Sequence, residues 1–219
     1  MLKPDVREAL RYLGAPNPPG ELLRQAEGLS AKLTGSVQPR YTYRIYGLDA
    51  GESGLCLQGA ELELTGASAA KMLSGCRRVV LLACTLGSRF DTKLLALQAR
   101  DMARAVIYDA LGSALVEAGC NAAQEEIAAR FPGVYLTDRF SPGYGDLPLD
   151  IQPALCAALD AQRRLGITVT PSLLMNPVKS VTAVIGLSDR PQPARIRGCE
   201  FCSLRETCQF RKEGKCCEA

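Results

Sequence analysis

The chain alternates between segments with the apolar spacing of strands and segments with the spacing of helices. Residues 40–46 read R-Y-T-Y-R-I-Y, and this period of two predicts a strand. Residues 77–84 form a nearly continuous apolar run, which is typical of a central strand buried on both faces. Shorter apolar segments predict further strands at residues 55–57, 62–64, 134–136, 167–169 and 180–187.

Helical spacing fills most of the remaining chain. Helices are predicted at residues 4–13, 20–33, 68–73, 101–130 and 149–165, with another following Ser88. In the longest of these, Val106, Ala110, Ala114 and Ala118 recur every four residues, and such small side chains favour close helix packing. The apolar run at 77–84 needs cover on both faces. We therefore expect an α/β (α+β) fold with a central mixed sheet and surrounding helices.

Composition limits how many domains this pattern can form. The 219 residues are 47% apolar, which supports one sizeable core. We expect one domain over residues 1–190, a Pro- and Arg-containing linker over 191–198, and a cysteine-rich tail over 199–219.

Charge and residue usage exclude several functions. The net charge of +3 and the absence of Trp give no indication of nucleic-acid binding. No signal peptide is apparent and the strongest apolar stretch, residues 79–86, is too short to cross a bilayer, so we expect a cytoplasmic protein without a membrane partner. The chain has no histidine, which excludes Ser-His-Asp and Cys-His catalysis and imidazole metal ligation.

Residues 139–145, R-F-S-P-G-Y-G, are the most informative segment, and we call them the Arg139 loop. Arg139 can hold a carboxylate through two hydrogen bonds. Pro142 fixes the backbone, Gly143 allows amides to approach a ligand, and Tyr144 adds a flat apolar face. The segment suits a small zwitterion that carries an aromatic base, although an ordinary surface turn is also consistent with these residues.

Two other polar positions are weaker candidates. Asp109 lies within the long apolar helix, so its carboxylate is either paired in the core or directed into a pocket. The T-L-G-S turn at residues 85–88 follows the central strand, where it could contact a ligand or simply begin a helix capped by Ser88 or Asp91.

The Arg139 loop resembles the reactivation domain of cobalamin-dependent methionine synthase, together with residues 163–187, R-R-L-G-I-T-V-T-P-S-L-L-M-N-P-V-K-S-V-T-A-V-I-G-L. V-V-L-L-A-C-T-L-G-S-R-F-D at residues 79–91 is similar to small stand-alone relatives of that domain. The resemblance covers roughly residues 1–190 and implies the same fold.

The resemblance also implies a function in methionine biosynthesis. Members of the family bind S-adenosylmethionine and present its methyl group to cobalamin held by a partner, which restores oxidised cofactor. By motif, Arg139 would hold the methionine carboxylate, and Pro142, Gly143 and Tyr144 would shape the adenosine pocket. The acidic helix residue of the family aligns with Ser113, a departure from its pattern. No acid–base residue is required, so we expect no catalytic side chain.

The tail carries the second strong motif. Its cysteines are close enough together to bind one metal centre: Cys199, Cys202, Cys208, Cys216 and Cys217. We expect Cys199, Cys202, Cys208 and one of the last pair to hold either zinc or an iron–sulfur cluster, with the corrinoid resemblance favouring the cluster. The other cysteines stand singly in apolar segments, where a free thiol acts as a small apolar side chain.

Three functions follow from these observations. The first is reactivation of a cobalamin-dependent methionine synthase or another corrinoid protein, with S-adenosylmethionine as methyl donor. The second is electron transfer by a metal cluster on the same fold without S-adenosylmethionine, with an electron-donor protein as a further partner. The third is a non-catalytic interaction module with a zinc-stapled tail.

Overall fold

A computed structural model describes residues 1–191, 206–207 and 209–212. The helices are α1 Val6–Tyr12, α2 Gly20–Thr34, α3 Ala67–Met72, α4 Ser88–Gln98, α5 Met102–Arg130, α6 Gln152–Ala158, α7 Ala161–Leu165 and α8 Gln209–Lys212. The strands are β1 Arg40–Ala50, β2 Gly54–Leu57, β3 Glu63–Thr65, β4 Cys76–Thr85, β5 Tyr135–Leu136, β6 Thr168–Val169, β7 Met175–Asn176 and β8 Ser180–Ser188. The five tail cysteines lie outside the described residues.

A six-stranded sheet in the order β3-β2-β1-β4-β8-β5 forms the centre of the domain. All of its pairings are antiparallel, so the sheet is not the mixed sheet that the sequence suggested. The apolar run of β4 indicates only that both faces of the strand are buried. An antiparallel strand can be buried on both faces as well as a parallel one. The predicted fold class, a central sheet surrounded by helices, is confirmed.

Helices cover both faces of the sheet. Leu82 and Ile185 face the core formed with α1, α2, α4 and α5, whereas Leu81 and Val184 face the core formed with α3, α6 and α7. Neighbouring residues separate in this way because side chains along a strand point alternately to opposite faces. Residues 79–84 are all fully buried, as the sequence predicts for a central strand.

Helix α5 packs closely against its neighbours. A Cβ added to Gly112 would lie 2.2 Å from Cζ of the fully buried Phe90, and one added to Gly119 would lie 2.5 Å from Cβ of Pro39. These approaches explain why small residues recur along this helix. At its start the Asp101 side chain accepts a hydrogen bond of 3.1 Å from the Arg104 amide.

The helix predicted at residues 149–165 is interrupted. A 3-10 turn at Leu149–Ile151 leads into α6, and Asp160 then separates α6 from α7 in the left-handed conformation, with φ of 54°. Asp adopts this conformation more readily than most residues, a preference that apolar spacing cannot reveal.

Single cysteines lie in or beside the core, and the described ones form no disulfide: Cys56, Cys76, Cys84, Cys120 and Cys156. Cys84 hydrogen-bonds with Cys120, and this contact together with burial raises the pKa of the Cys84 thiol. Both thiols are fully buried, as expected for cysteines acting as small apolar side chains.

Candidate ligand-binding site

The Arg139 loop begins where the chain leaves the edge of the sheet. Phe140 is buried and forms a bridge with Val184 of β8, its amide lying 3.1 Å from the Val184 carbonyl. The chain then turns sharply, and the Gly143 amide donates to the Leu147 carbonyl at 2.9 Å. Gly143 and Gly145 have φ of 84° and 60°, a region that glycine occupies without steric cost. The loop is therefore a compact turn fixed to the sheet.

Asp146 anchors the far end of this loop to helix α3. Its carboxylate accepts hydrogen bonds of 2.6 Å and 2.9 Å from the amides of Ala67 and Ser68. Hydrogen bonds from the Ser68 hydroxyl and amide hold the pKa of the Asp146 carboxyl below its ordinary value. Because Ala67 and Asp146 are 79 residues apart, this contact could not be predicted from the sequence.

Arg139 points from the loop toward helix α5. Its Nη2 lies 2.8 Å from Oε2 of Glu117, and its Nη1 lies 2.9 Å from Oε1 of Gln124. Only 10% of the Arg139 side chain is exposed, compared with 42% for Glu117. The more accessible group of this ion pair is therefore the carboxylate. Binding of a ligand carboxylate by Arg139 stays a prediction.

A second ion pair lies nearer the start of α5. Lys179 Nζ lies 2.9 Å from both Oδ2 of Asp109 and Oγ of Ser113. The Lys179 side chain is 15% exposed and that of Asp109 is 44% exposed. The sequence left open whether Asp109 is paired in the core or directed into a pocket. Asp109 is paired, but at a half-exposed position rather than within the core.

These contacts define one polar face of a largely apolar helix, which we call the α5 stripe. Its members recur every three or four residues: Asp109, Ser113, Glu117, Asn121 and Gln124. Lys179 contacts its first two members, and Arg139 contacts Glu117 and Gln124. The two carboxylates of the stripe, Asp109 and Glu117, thus each lie beside a cation from another element, and such neighbouring charges of both signs suit a zwitterion.

The Arg139 loop borders two cavities. One has a volume of about 530 Å³ and is lined by Arg139, Asp138 and the end of the stripe at Asn121 and Gln124. The other has about 350 Å³ and is lined by Pro142 together with apolar groups from Leu149, Leu174, Met175 and Val178. Arg139 and Pro142 thus line different cavities, while Gly143 and the 46%-exposed Tyr144 lie at the surface.

The T-L-G-S turn supports the second ion pair. Thr85 is fully buried, and its Oγ1 accepts hydrogen bonds from the Gly87 amide at 3.0 Å and from Ser180 Oγ at 2.8 Å. Asp91 Oδ2 accepts a 2.9 Å bond from the Val178 amide. Helix α4 is capped by Gly87, so neither Ser88 nor Asp91 caps it as suggested. The turn fixes the segment that carries Lys179.

Metal ligands do not cluster in the part of the chain that the structure describes: it holds no group of three or more Cys, Asp or Glu side chains able to bind a metal ion. Over the same residues, each helix is too short or too polar to cross a membrane. The predicted thiolate site lies outside these residues and stays a prediction.

Comparison with known proteins gives similarity in structure rather than in sequence. No protein-family profile and no curated protein matches the chain. The crystal structure of the MetH reactivation domain bound to AdoHcy superimposes with a TM-score of 0.65, covering 94% of this chain and 76% of that chain at 18% identity. The fold is that of the MetH reactivation domain. This result confirms the resemblance inferred from the Arg139 loop at the level of the fold.

Proposed function

We propose that the chain binds S-adenosylmethionine between the α5 stripe and the Arg139 loop and delivers its methyl group to cobalamin held by a partner methionine synthase. One observation carries the proposal: on a reactivation-domain fold, the R-F-S-P-G-Y-G loop holds Arg139 against Glu117 of the α5 stripe. The related domain was crystallised with AdoHcy, the demethylated form of this ligand.

The charges of the site complement those of the ligand. S-adenosylmethionine has a carboxylate, an ammonium and a sulfonium. Arg139 has five N–H donors, of which the contacts to Glu117 and Gln124 use two, so further donors serve the ligand carboxylate. The half-exposed carboxylates of Glu117 and Asp109 attract the ligand's cationic groups.

The loop backbone and Tyr144 serve the adenosine part of the ligand. Gly143 has no side chain to block approach to the loop backbone, and its left-handed φ of 84° would strain any other residue. Pro142 holds the preceding backbone, and Tyr144 presents a ring that is 46% exposed. A flat aromatic face of this kind suits stacking against an adenine base.

The chain contributes binding and orientation to the proposed reaction. The partner's cobalamin supplies the nucleophile that takes the methyl group, and reductive reactivation also needs an electron donor, for which a separate protein is the expected source. Methyl transfer from a sulfonium requires no proton movement, which agrees with an ion-paired rather than acid–base site. The apolar side chains around Pro142, Leu174 and Val178 provide a surface for the partner beside the loop.

Transfer of labelled methyl groups tests this function. A methionine synthase that lacks its own reactivation domain is incubated under reducing conditions with methyl-labelled S-adenosylmethionine. We expect label on its cobalamin only when this chain is added, and much less with Arg139→Ala. Arg163→Ala removes an exposed arginine of α7, which is paired with the preceding Asp160, and serves as the control. Equal labelling with and without the chain would reject the proposal.

The cysteine spacing of the tail supports electron transfer as a second candidate. Cys199, Cys202, Cys208 and either Cys216 or Cys217 would hold an iron–sulfur cluster, whereas zinc at the same thiolates would favour an interaction module. Anaerobic purification followed by a visible spectrum and metal analysis separates the two. A redox-active chromophore without S-adenosylmethionine binding favours electron transfer, and colourless protein with stoichiometric zinc favours the module.

A further inference from the structure

A third cavity lies away from the Arg139 loop, between α2, the end of α4 and the start of α5. Its volume is about 290 Å³, and it shares no lining residue with the two cavities beside the loop. Leu29, Ala96 and Leu97 provide an apolar wall. Four cationic side chains complete most of the lining: Lys32, Lys93, Arg100 and Arg104.

Within the described residues, the positive side chains around this cavity have no carboxylate partner. None of its four cations forms an ion pair with a carboxylate among the described residues. All four side chains are exposed, so solvent and salt keep their mutual repulsion small, and together they make the mouth of the cavity attractive to an anion.

Tyr108 supplies an independent indication of a ligand. It lines the cavity but is only 3% exposed, and its buried hydroxyl has no hydrogen-bond partner within the described structure. Its ring stacks on Phe90 with centroids 5.0 Å apart, which fixes its position. Burial raises the pKa of Tyr108 to about 12, so the hydroxyl remains a proton donor at neutral pH. A buried donor without an acceptor is unfavourable unless a ligand provides one.

We propose that this cavity binds a small organic anion with an apolar body. The apolar part packs against Leu29 and Leu97. The anionic group lies among the lysine and arginine side chains and accepts a hydrogen bond from Tyr108. The ligand needs both an apolar and an anionic part. The apolar part matches the apolar wall, and the anionic group matches the positive side chains and accepts the hydrogen bond of the Tyr108 hydroxyl. Carboxylates, sulfonates and phosphate monoesters on an aromatic or aliphatic body share this chemistry.

Fluorescence titration with a matched pair of probes tests the proposal. Anilinonaphthalene sulfonate carries the required anion and apolar rings, whereas N-phenylnaphthylamine has the rings without the charge. We expect saturable one-to-one binding of the sulfonate to the full chain and at least about tenfold weaker binding of the neutral probe, as for loss of a charge-assisted hydrogen bond. Inorganic phosphate alone should compete only at high concentration.

Variants locate the binding site. Lys93→Gln with Arg104→Gln should weaken sulfonate binding by about fivefold or more, and Tyr108→Phe by about threefold to tenfold. The control, Arg24→Gln with Arg163→Gln, removes the same charge from exposed arginines outside the cavity and should leave the affinity unchanged. Unchanged melting curves establish that each variant is folded. Absence of saturable binding, or equal loss in the cavity and control variants, would overturn the proposal.

Discussion

Among single residues, Glu117 changes the interpretation of the Arg139 loop most. It is paired with Arg139 and its side chain remains 42% exposed, so it stays accessible from solvent. Glu117→Gln keeps a hydrogen-bond acceptor for Arg139 but removes the charge that would attract the ligand ammonium. We expect S-adenosylmethionine binding to weaken by about 1.5–3 kcal/mol, with little change in melting temperature. Calorimetry and a thermal melt check this, and an unaltered affinity would remove Glu117 from the site.

Asp146 gives the loop a defined dependence on pH. Its folded-state pKa is lowered from 3.8, so its contribution to stability is present above that pH and is lost as the pH falls through the folded value. The amides of Ala67 and Ser68 should therefore keep their hydrogen bonds until the pH is below 3.8. Amide NMR during acid titration measures this, with Asp146→Asn as the non-titrating control. A transition at or above 3.8 would contradict the lowered pKa.

At the scale of elements, the packing of α5 on α4 can be tested with a pair of glycines. Gly112→Ala places a Cβ 2.2 Å from Phe90, so we expect a loss of about 1–3 kcal/mol in the free energy of unfolding. Gly28→Ala in α2 meets no atom within 4 Å, and helix propensity should make it neutral or stabilising by up to about 1 kcal/mol. Urea denaturation compares the two, and equal effects would contradict close packing at Gly112.

The elements also show how far the sequence determines the fold. The apolar run of β4 and the alternation of β1 indicated their strands directly, since both patterns follow from burial. The relative direction of the strands could not be predicted from these patterns, because a strand buried on both faces can pair in either a parallel or an antiparallel way. The break at Asp160 depends on one backbone conformation, which hydrophobic spacing does not record.

For the molecule as a whole, the geometry of the candidate site was predictable only in part. The sequence indicated the loop of Arg139 because its residue types are unusual together. Its partner Glu117 was missed, although polar residues at Asp109, Ser113 and Glu117 recur every four positions on an otherwise apolar helix. That periodicity was the available signal. The hydrogen bonds between Asp146 and α3 have no comparable sequence pattern, because they join segments that are distant in the chain and meet only in the complete fold.

The tail adds a prediction at the same scale. Its few large apolar residues cannot form a core, so we expect a metal centre to order it. Metal loading should protect residues 198–219 from protease, and Cys199→Ser with Cys202→Ser should abolish that protection. Replacing only Cys216 should be tolerated, because Cys217 can take its place. Mass spectrometry of the digest measures the outcome, and equal cleavage with and without metal would exclude the thiolate centre.

Calorimetric titration of the protein with S-adenosylmethionine and its demethylated product tests the central claim most directly. The wild type should bind at one site, and Arg139→Ala should bind more weakly by about 1.5–3 kcal/mol, the range for a hydrogen bond to a charged group. Arg24→Ala, which removes an exposed arginine of α2, should match the wild type. Absence of binding by the wild type, or equal affinities for the wild type and Arg139→Ala, would contradict the account.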